Sequence, residues 1–392
     1  MLKSQSNSEM VQSLPEALQW EVAAALEPAD LVTRLTALGT LPSAMVLGPA
    51  LARLAASAWV REDAAREPMH ALLLRHGALL RGRVRADLLR RVGAASGYAL
   101  LLPWLQNSPD DVDLLRLAAD WARELGHDAE AHGFLTRLAL ADGTAATVQS
   151  AFRAREALAP AEGRDLSIAF LASFTVDVLA AYADAELRAV GFAPRVYVAP
   201  FNTVPLEVRN PASGVYAAKA DLVIVAVAAD DLLPELADGQ RGDALREAGA
   251  RAVDELAADV RMLAERSGAT VLVHSLDSVF IGSGPLDWAP DGRGSVLREL
   301  NARLAAALNA VPRTRVLDLA HVTARRSAGR ADNPKMRYLA GMRLGDGVLP
   351  TLAHAYVRTA IAAKGIAKKC LVLDLDNTLW GGIVGEDGPT GI

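Results

Sequence analysis

At 392 residues, 52% of them hydrophobic and 22% charged, the chain is long enough for two or three cores and too apolar for a disordered tail. A net charge of -5 and a pI of about 5.9 exclude a general grip on nucleic acid. A single cysteine, Cys370, excludes an intramolecular disulfide, and no signal peptide or bilayer-length apolar run is present, so a soluble protein of the reducing cytoplasm is expected.

Residues 1–160 read as an all-α region. Between residues 14 and 158 apolar positions recur at helical spacing, with breaks at "LGTLPS", "ASGYALLLP" and "QNSPDD". The arginines of "LLRHGALLRGRVRADLLRR" alternate with leucines at that spacing and form a solvated helix face, with a docking surface for an acidic partner as the alternative. In "DVDLLRLAADWARELGHDAEAHGFLTRLALADGT" one amphipathic helix ends at Gly126 and a second near "ADGT". This pair resembles a tetratricopeptide hairpin, so the region is an irregular helical array whose role is to pack on the next domain or to dock a protein.

Residues 161–364 change texture. Short apolar runs, "LSIAFLA", "PRVYVAPF", "DLVIVAVA", "TVLVHSL" and "RVLDLA", alternate with amphipathic helical stretches. Strands without polar alternation, each followed by a helix, predict a parallel sheet covered on both faces, a flavodoxin-like three-layer α/β domain. Ligands of such sheets bind beyond the carboxyl ends of the strands. "IGSGP" at 281–285 reads as a loop without the third glycine or the strand-to-helix setting of a dinucleotide fingerprint.

The strand-end segments "ASFTVD", "AADD" and "GDGVLP" resemble the blocks of SGNH hydrolases, in which a serine nucleophile, oxyanion donors and an Asp-x-x-His-Pro base cooperate. The resemblance fails at the chemistry. Phe174 stands at the serine position beside Ser173, Asp230 at the asparagine position, and Leu349 at the histidine position between Asp346 and Pro350. A one-residue shift makes Ser173 a nucleophile, and His354 a substitute base. Packing or surface roles are the alternative for His354 and for His274. The domain is read as SGNH-like and non-catalytic.

Residues 365–392 hold "KKCLVLDLDNTLWGGIVGEDG". An apolar strand is predicted to bring Asp374 and Asp376, two residues apart, to one side of a sheet. One carboxylate of such a pair can attack a phosphoryl group while the other moves a proton, and a hard cation such as Mg²⁺ is needed to offset their charge against an anionic substrate. Thr378 can orient the first carboxylate, and Gly381 and Gly382 allow a tight loop over the substrate. The alternative is an Asp-rich turn after a buried strand.

This string resembles the FkbH-like family, subfamily IIIC of the haloacid dehalogenase (HAD) superfamily, whose members often carry a degenerate SGNH-like domain before the phosphatase core. The resemblance spans about residues 165–392 and implies that Asp374 is the phosphoryl-accepting nucleophile and metal ligand. It makes Asp376 the general acid/base, with its backbone carbonyl as a second Mg²⁺ ligand. It further implies a phosphorylated three-carbon acid as substrate and an acyl carrier protein as partner in polyketide-type biosynthesis. Cys370 is the one candidate for a glyceryl thioester, and a buried strand cysteine is the preferred reading. The superfamily's later serine or threonine, lysine and acidic motifs are absent up to Ile392. The HAD core is therefore read as incomplete, from a fragment or a natural truncation, and the chain alone is expected to be inactive. Two other readings are a non-catalytic scaffold protein and an SGNH-type esterase or acyltransferase using Ser173.

Overall fold

The computed structural model describes residues 27–38, 51, 53–57, 62–77, 80, 82–237, 241–276, 289–324, 334–367, 370 and 372–388. Its contacts divide the chain into two compact units. The first is Met1–Phe170, Phe174–Phe201 and His321–Ala353, and the second is Leu171–Ser173, Asn202–Ala320 and His354–Ile392.

In the first unit the Ala- and Leu-rich sequence forms α1 (Pro28–Ala37), α2 (Arg66–His76), α3 (Gly82–Val92), α4 (Ala94–Asn107), α5 (Val112–Glu124), α6 (Asp128–Asp142) and α7 (Ala145–Ala154). Side-chain caps set two of the starts: Asp111 Oδ1 accepts from Leu114 N at 3.1 Å, and Thr144 Oγ1 from Thr147 N at 3.3 Å. The other oxygen of Asp111 accepts from buried Arg85 at 2.6 Å, and that guanidinium lies 5.6 Å from the Trp104 ring centre. The cap of α5 is thereby tied to α3 and α4.

The approach of α4 to α5 depends on Gly97. A Cβ there would lie 2.5 Å from Trp121. Gly97→Ala is therefore expected to cost about 1–3 kcal/mol, despite the better helix propensity of alanine, because the buried indole must move. Urea denaturation followed by tryptophan fluorescence measures it, and an unchanged midpoint would contradict this packing.

The helical array is bolted to the first helix of the α/β region, α8 (Asp177–Ala189), within the same unit. Arg155 follows α7 in a 3₁₀ turn and donates to Asp184 at 2.8 Å and to Thr136 of α6 at 3.0 Å. Asp184, 1% exposed, also accepts from Arg188 at 3.0 Å. Tyr182 on α8 donates to the carbonyl of Gly143 at 2.6 Å, at the end of α6. Strands β1 (Arg164–Ala172) and β2 (Phe192–Val198) pair in parallel from Arg164↔Phe192 to Phe170↔Val198.

In the second unit β3 (Leu222–Ala226), β4 (Thr270–His274) and β5 (Thr314–Leu317) pair in parallel. They alternate with α9 (Val204–Arg209), α10 (Gly214–Ala217), α11 (Ala229–Leu232), α12 (Pro234–Ala237), α13 (Gly242–Ser267) and α14 (Arg293–Asn309). Every residue of β3 is buried, the signature of a strand covered on both faces. The five strands make one sheet in the order β2-β1-β3-β4-β5, so the chain is α/β with a doubly wound strand order and every predicted strand of the central region is present. Later helices are α15 (Leu319–Ala324), α16 (Pro334–Ala340), α17 (Leu349–Ala363) and α18 (Val384–Asp387). The 281–285 loop lies outside the described residues, and no described helix is long and apolar enough to cross a membrane.

The terminal segment differs from expectation. Residues 372–375 form no ladder, and Val372, Leu373 and Leu375 are 88%, 48% and 47% exposed. The expected buried strand and buried cysteine are thus corrected: Cys370 is exposed. Apolar β-prone sequence becomes a buried strand only where neighbouring strands accept its main-chain groups, and no described strand pairs with this one. The described β-pairing here is the isolated bridge Asp376↔Trp380.

Candidate functional site

Two places carry the predicted chemistry, both in the second unit. The first lies beyond the carboxyl ends of β1 and β3, where the strand order reverses and doubly wound sheets hold ligands. A cleft of about 180 Å³ is lined there by Ser173, Asn202, Arg209, Asp231, Glu255 and Asp259 among others. Ser173 extends β1 by donating its amide to Ala226 O at 3.0 Å, which turns the side chain into a defined place. Its hydroxyl donates to Asp231 Oδ2 at 2.7 Å and accepts from Ala228 N at 2.9 Å. Across the cleft Arg209 grips Asp259 with two bonds, 2.9 and 3.0 Å, and this pairing raises the guanidinium pKa.

The SGNH positions therefore divide. Phe174, at the serine position of that pattern, belongs to the first unit and is 4% exposed. Ser173 is satisfied by a carboxylate and an amide, and no imidazole is among its partners in the described residues, so the shifted Ser173–His354 arrangement is not formed. His354 is exposed on α17. His274 is buried at the end of β4 and bonds Tyr356 Oη at 2.7 Å. In the first unit, Leu349 is a buried residue opening α17, while Asp346 is exposed. Burial and then the charges of Asp346 and Asp142 push the Tyr182 phenol up to about 12.

Sequence reasoning selected Asp230, but the residue that holds Ser173 is its neighbour Asp231. The doubled aspartate of "AADD" was the available signal. Which member faces β1 depends on the turn after β3, where the chain enters the four-residue α11. The Arg209–Asp259 pair was also missed, since its partners are 50 residues apart.

The second place is the terminal loop. Asp374 is exposed. Asp376 Oδ1 accepts from the Trp380 indole at 3.2 Å and from Val384 N at 3.3 Å. Asn377, in left-handed backbone at φ 56°, closes the same loop: its side chain accepts from Gly382 N at 2.9 Å and its amide donates to Gly382 O at 3.2 Å. Thr378 N bonds back to Leu375 O at 3.3 Å, while Asp387 accepts from Ile383 N at 2.9 Å. The glycine pair 381–382 thus sits at the tip of a loop cinched by the acidic motif. Gly382 itself has φ 96°, a value open to glycine and strained for other residues.

No group of three or more His, Cys, Asp or Glu suited to a metal occurs among the described residues. Mg²⁺ asks for less, since it takes one or two carboxylates and fills its octahedron with water and substrate phosphate. The exposed Asp374 carboxylate and the neighbouring Asp376 fit that partial demand.

No family model and no curated protein matches the chain. Among solved structures it shows a likeness to the crystal structure of the N-terminal part of the protein BF1531 from Bacteroides fragilis, containing a phosphatase domain complexed with Mg. The two are 24% identical with a TM-score of 0.47, and the match covers 57% of this chain and 59% of that one. The chain thus spans less than two thirds of the structure it resembles.

Proposed function

We propose that residues 370–388 supply the nucleophile segment of a Mg²⁺-dependent phosphoryl-transfer enzyme of the HAD type. The observation that carries this reading is the division of labour in the terminal loop. Asp376 Oδ1 and Asn377 tie down the glycine tip, while Asp374 stays exposed two residues earlier. In the proposed reaction a carboxylate oxygen of Asp374 forms a bond to phosphorus as the bond to the substrate alkoxide breaks. Asp376 protonates the leaving oxygen, then takes a proton from the water that hydrolyses the acyl phosphate. Among the described residues, hydrogen bonds engage only Oδ1 of Asp376, which leaves Oδ2 to carry that proton. The Asp374 carboxylate and the Asp376 backbone carbonyl would hold Mg²⁺, which when bound neutralises charge between carboxylates and phosphate.

The finer reading follows the FkbH-like resemblance: a phosphorylated three-carbon acid as substrate, with transfer of the unit to an acyl carrier protein. The Ser173–Asp231 pair favours a binding role for the SGNH-like sheet over ester cleavage, because among the described residues the serine hydroxyl is held by a carboxylate and a backbone amide with no imidazole to take its proton. Hydrolysis of a phosphomonoester by the full-length protein tests the proposal. Activity is expected to require Mg²⁺, to vanish with EDTA, and to fall at least about 10³-fold in Asp374→Asn. Full activity of that variant would remove the HAD reading.

A further inference from the structure

The opposite end of the strands, where β3, β4 and β5 begin, holds a further cavity, of about 530 Å³. Lys219, Arg266, Arg313 and Lys364 line it, together with a single carboxylate, Asp221. Four cations against one anion leave three net positive charges on a chain whose overall charge is -5. All of these residues belong to the second unit.

Structural duties account for two of the four. Lys364 pairs with Asp221 at 2.8 Å. Arg266 donates to the carbonyls of Val208 and Arg209, each at 3.3 Å, which fixes its guanidinium in place. Lys219 and Arg313 are different, since neither side chain makes a hydrogen bond or ion pair among the described residues. Both are also held in left-handed backbone, at φ 45° and φ 58°. Each lies in the turn just before its strand, Lys219 before β3 and Arg313 before β5. The matching turn before β4 uses Gly268, at φ 65°. Glycine accepts that conformation without strain, whereas a side chain with a Cβ resists it. The fold alone would thus favour glycine at 219 and 313, yet both places carry long cations directed to one cavity. Strained backbone of this kind marks places where a side chain serves something other than the turn.

We infer that this cavity binds a compact, multiply charged phosphate ligand, a diphosphate group either free or borne by a nucleotide. Several cations around one concave site match the paired phosphates of such a ligand, and a preset guanidinium at Arg266 offers forked hydrogen bonds to phosphate oxygens. The inference is independent of the phosphoryl-transfer proposal and concerns the far end of the strands from Ser173.

Isothermal titration of the whole chain with pyrophosphate, at constant ionic strength and without divalent ions, tests it. Parallel arms use ADP and inorganic phosphate. One saturable site for pyrophosphate is expected, at least tenfold tighter than for phosphate. Comparable binding of ADP would identify a nucleotide ligand, and its absence an inorganic or non-nucleotide diphosphate; either supports the site. Lys219→Gly and Arg313→Gly are each expected to weaken pyrophosphate at least tenfold while the ligand-free Tm holds or rises. That opposition separates a ligand role from a structural one. Absence of saturable heat, equal binding of phosphate and pyrophosphate that disappears with added KCl, or variants that bind like the parent would each overturn the inference. Binding of an acidic peptide that pyrophosphate fails to displace would do the same.

Discussion

Asp184→Ala is expected to destabilise the first unit by about 3–5 kcal/mol, the cost of leaving a buried charge without its partner. Asp184 is 1% exposed and holds two guanidinium groups, of which Arg155 is almost equally buried. Burial pushes the Arg155 guanidinium down to about 10, still far above neutral pH, so it remains charged and would be stranded by the substitution. The loss would be felt in both the helical array and α8, because Arg155 joins them through Thr136 and Asp184. Urea denaturation followed by the fluorescence of Trp104 and Trp121 reads the effect in this unit. A midpoint like that of the parent would show that the pair is dispensable. Replacing Arg155 and Asp184 together by methionine and leucine should recover much of the loss, since a buried pair exchanged for apolar groups is often close to neutral.

The second large effect is a loss of stability in mild acid centred on His274. The imidazole is 2% exposed, its Nε2 meets Tyr356 Oη at 2.7 Å, and its Nδ1 has no partner among the described residues. Protonation would bury a charge and a second N–H with nothing to receive it. Burial accordingly lowers its pKa from 6.5 to about 4. The unfolded chain then takes up the proton near 6.5 while the folded chain resists until about 4. Stability contributed by the neutral ring is complete above 6.5 and is lost as pH falls toward 4, by about 3 kcal/mol across the window. His132, whose pKa burial also lowers, acts in the same direction. His274→Gln keeps a hydrogen-bonding group beside Tyr356 without titrating there. It should flatten the pH dependence of the denaturation midpoint between 6.5 and 4, and an unchanged slope would exclude His274 as its source.

The central sheet was legible because its strands are buried on both faces. Runs such as "LVIVA" have no polar alternation, and all five residues of that strand are indeed buried. The helix breaks at Gly126 and Gly143 were legible too, as both adopt the left-handed backbone that glycine accepts. "CLVLDLD" has the same texture as the sheet strands, yet residues 372–375 are exposed. A strand is a property of a pair, and sequence alone does not state whether a neighbour is present. Side-chain pairs across the fold were beyond reach for a similar reason. Ser173 meets Asp231 because β1 lies beside β3, and Arg155 meets Asp184 because α7 lies against α8. Local pattern specifies an element and its face, but not which element faces it.

The nucleophilic role of Asp374 can be tested by trapping the intermediate. The full-length protein would be mixed with a phosphomonoester and Mg²⁺, quenched with acid, and reduced with borohydride, which converts an aspartyl phosphate to homoserine. Mass spectrometry of the peptide covering residues 370–388 should find homoserine at 374, and none at 376 or in the sample prepared with EDTA. Label at a different carboxylate, or turnover with none at 374, would contradict the account.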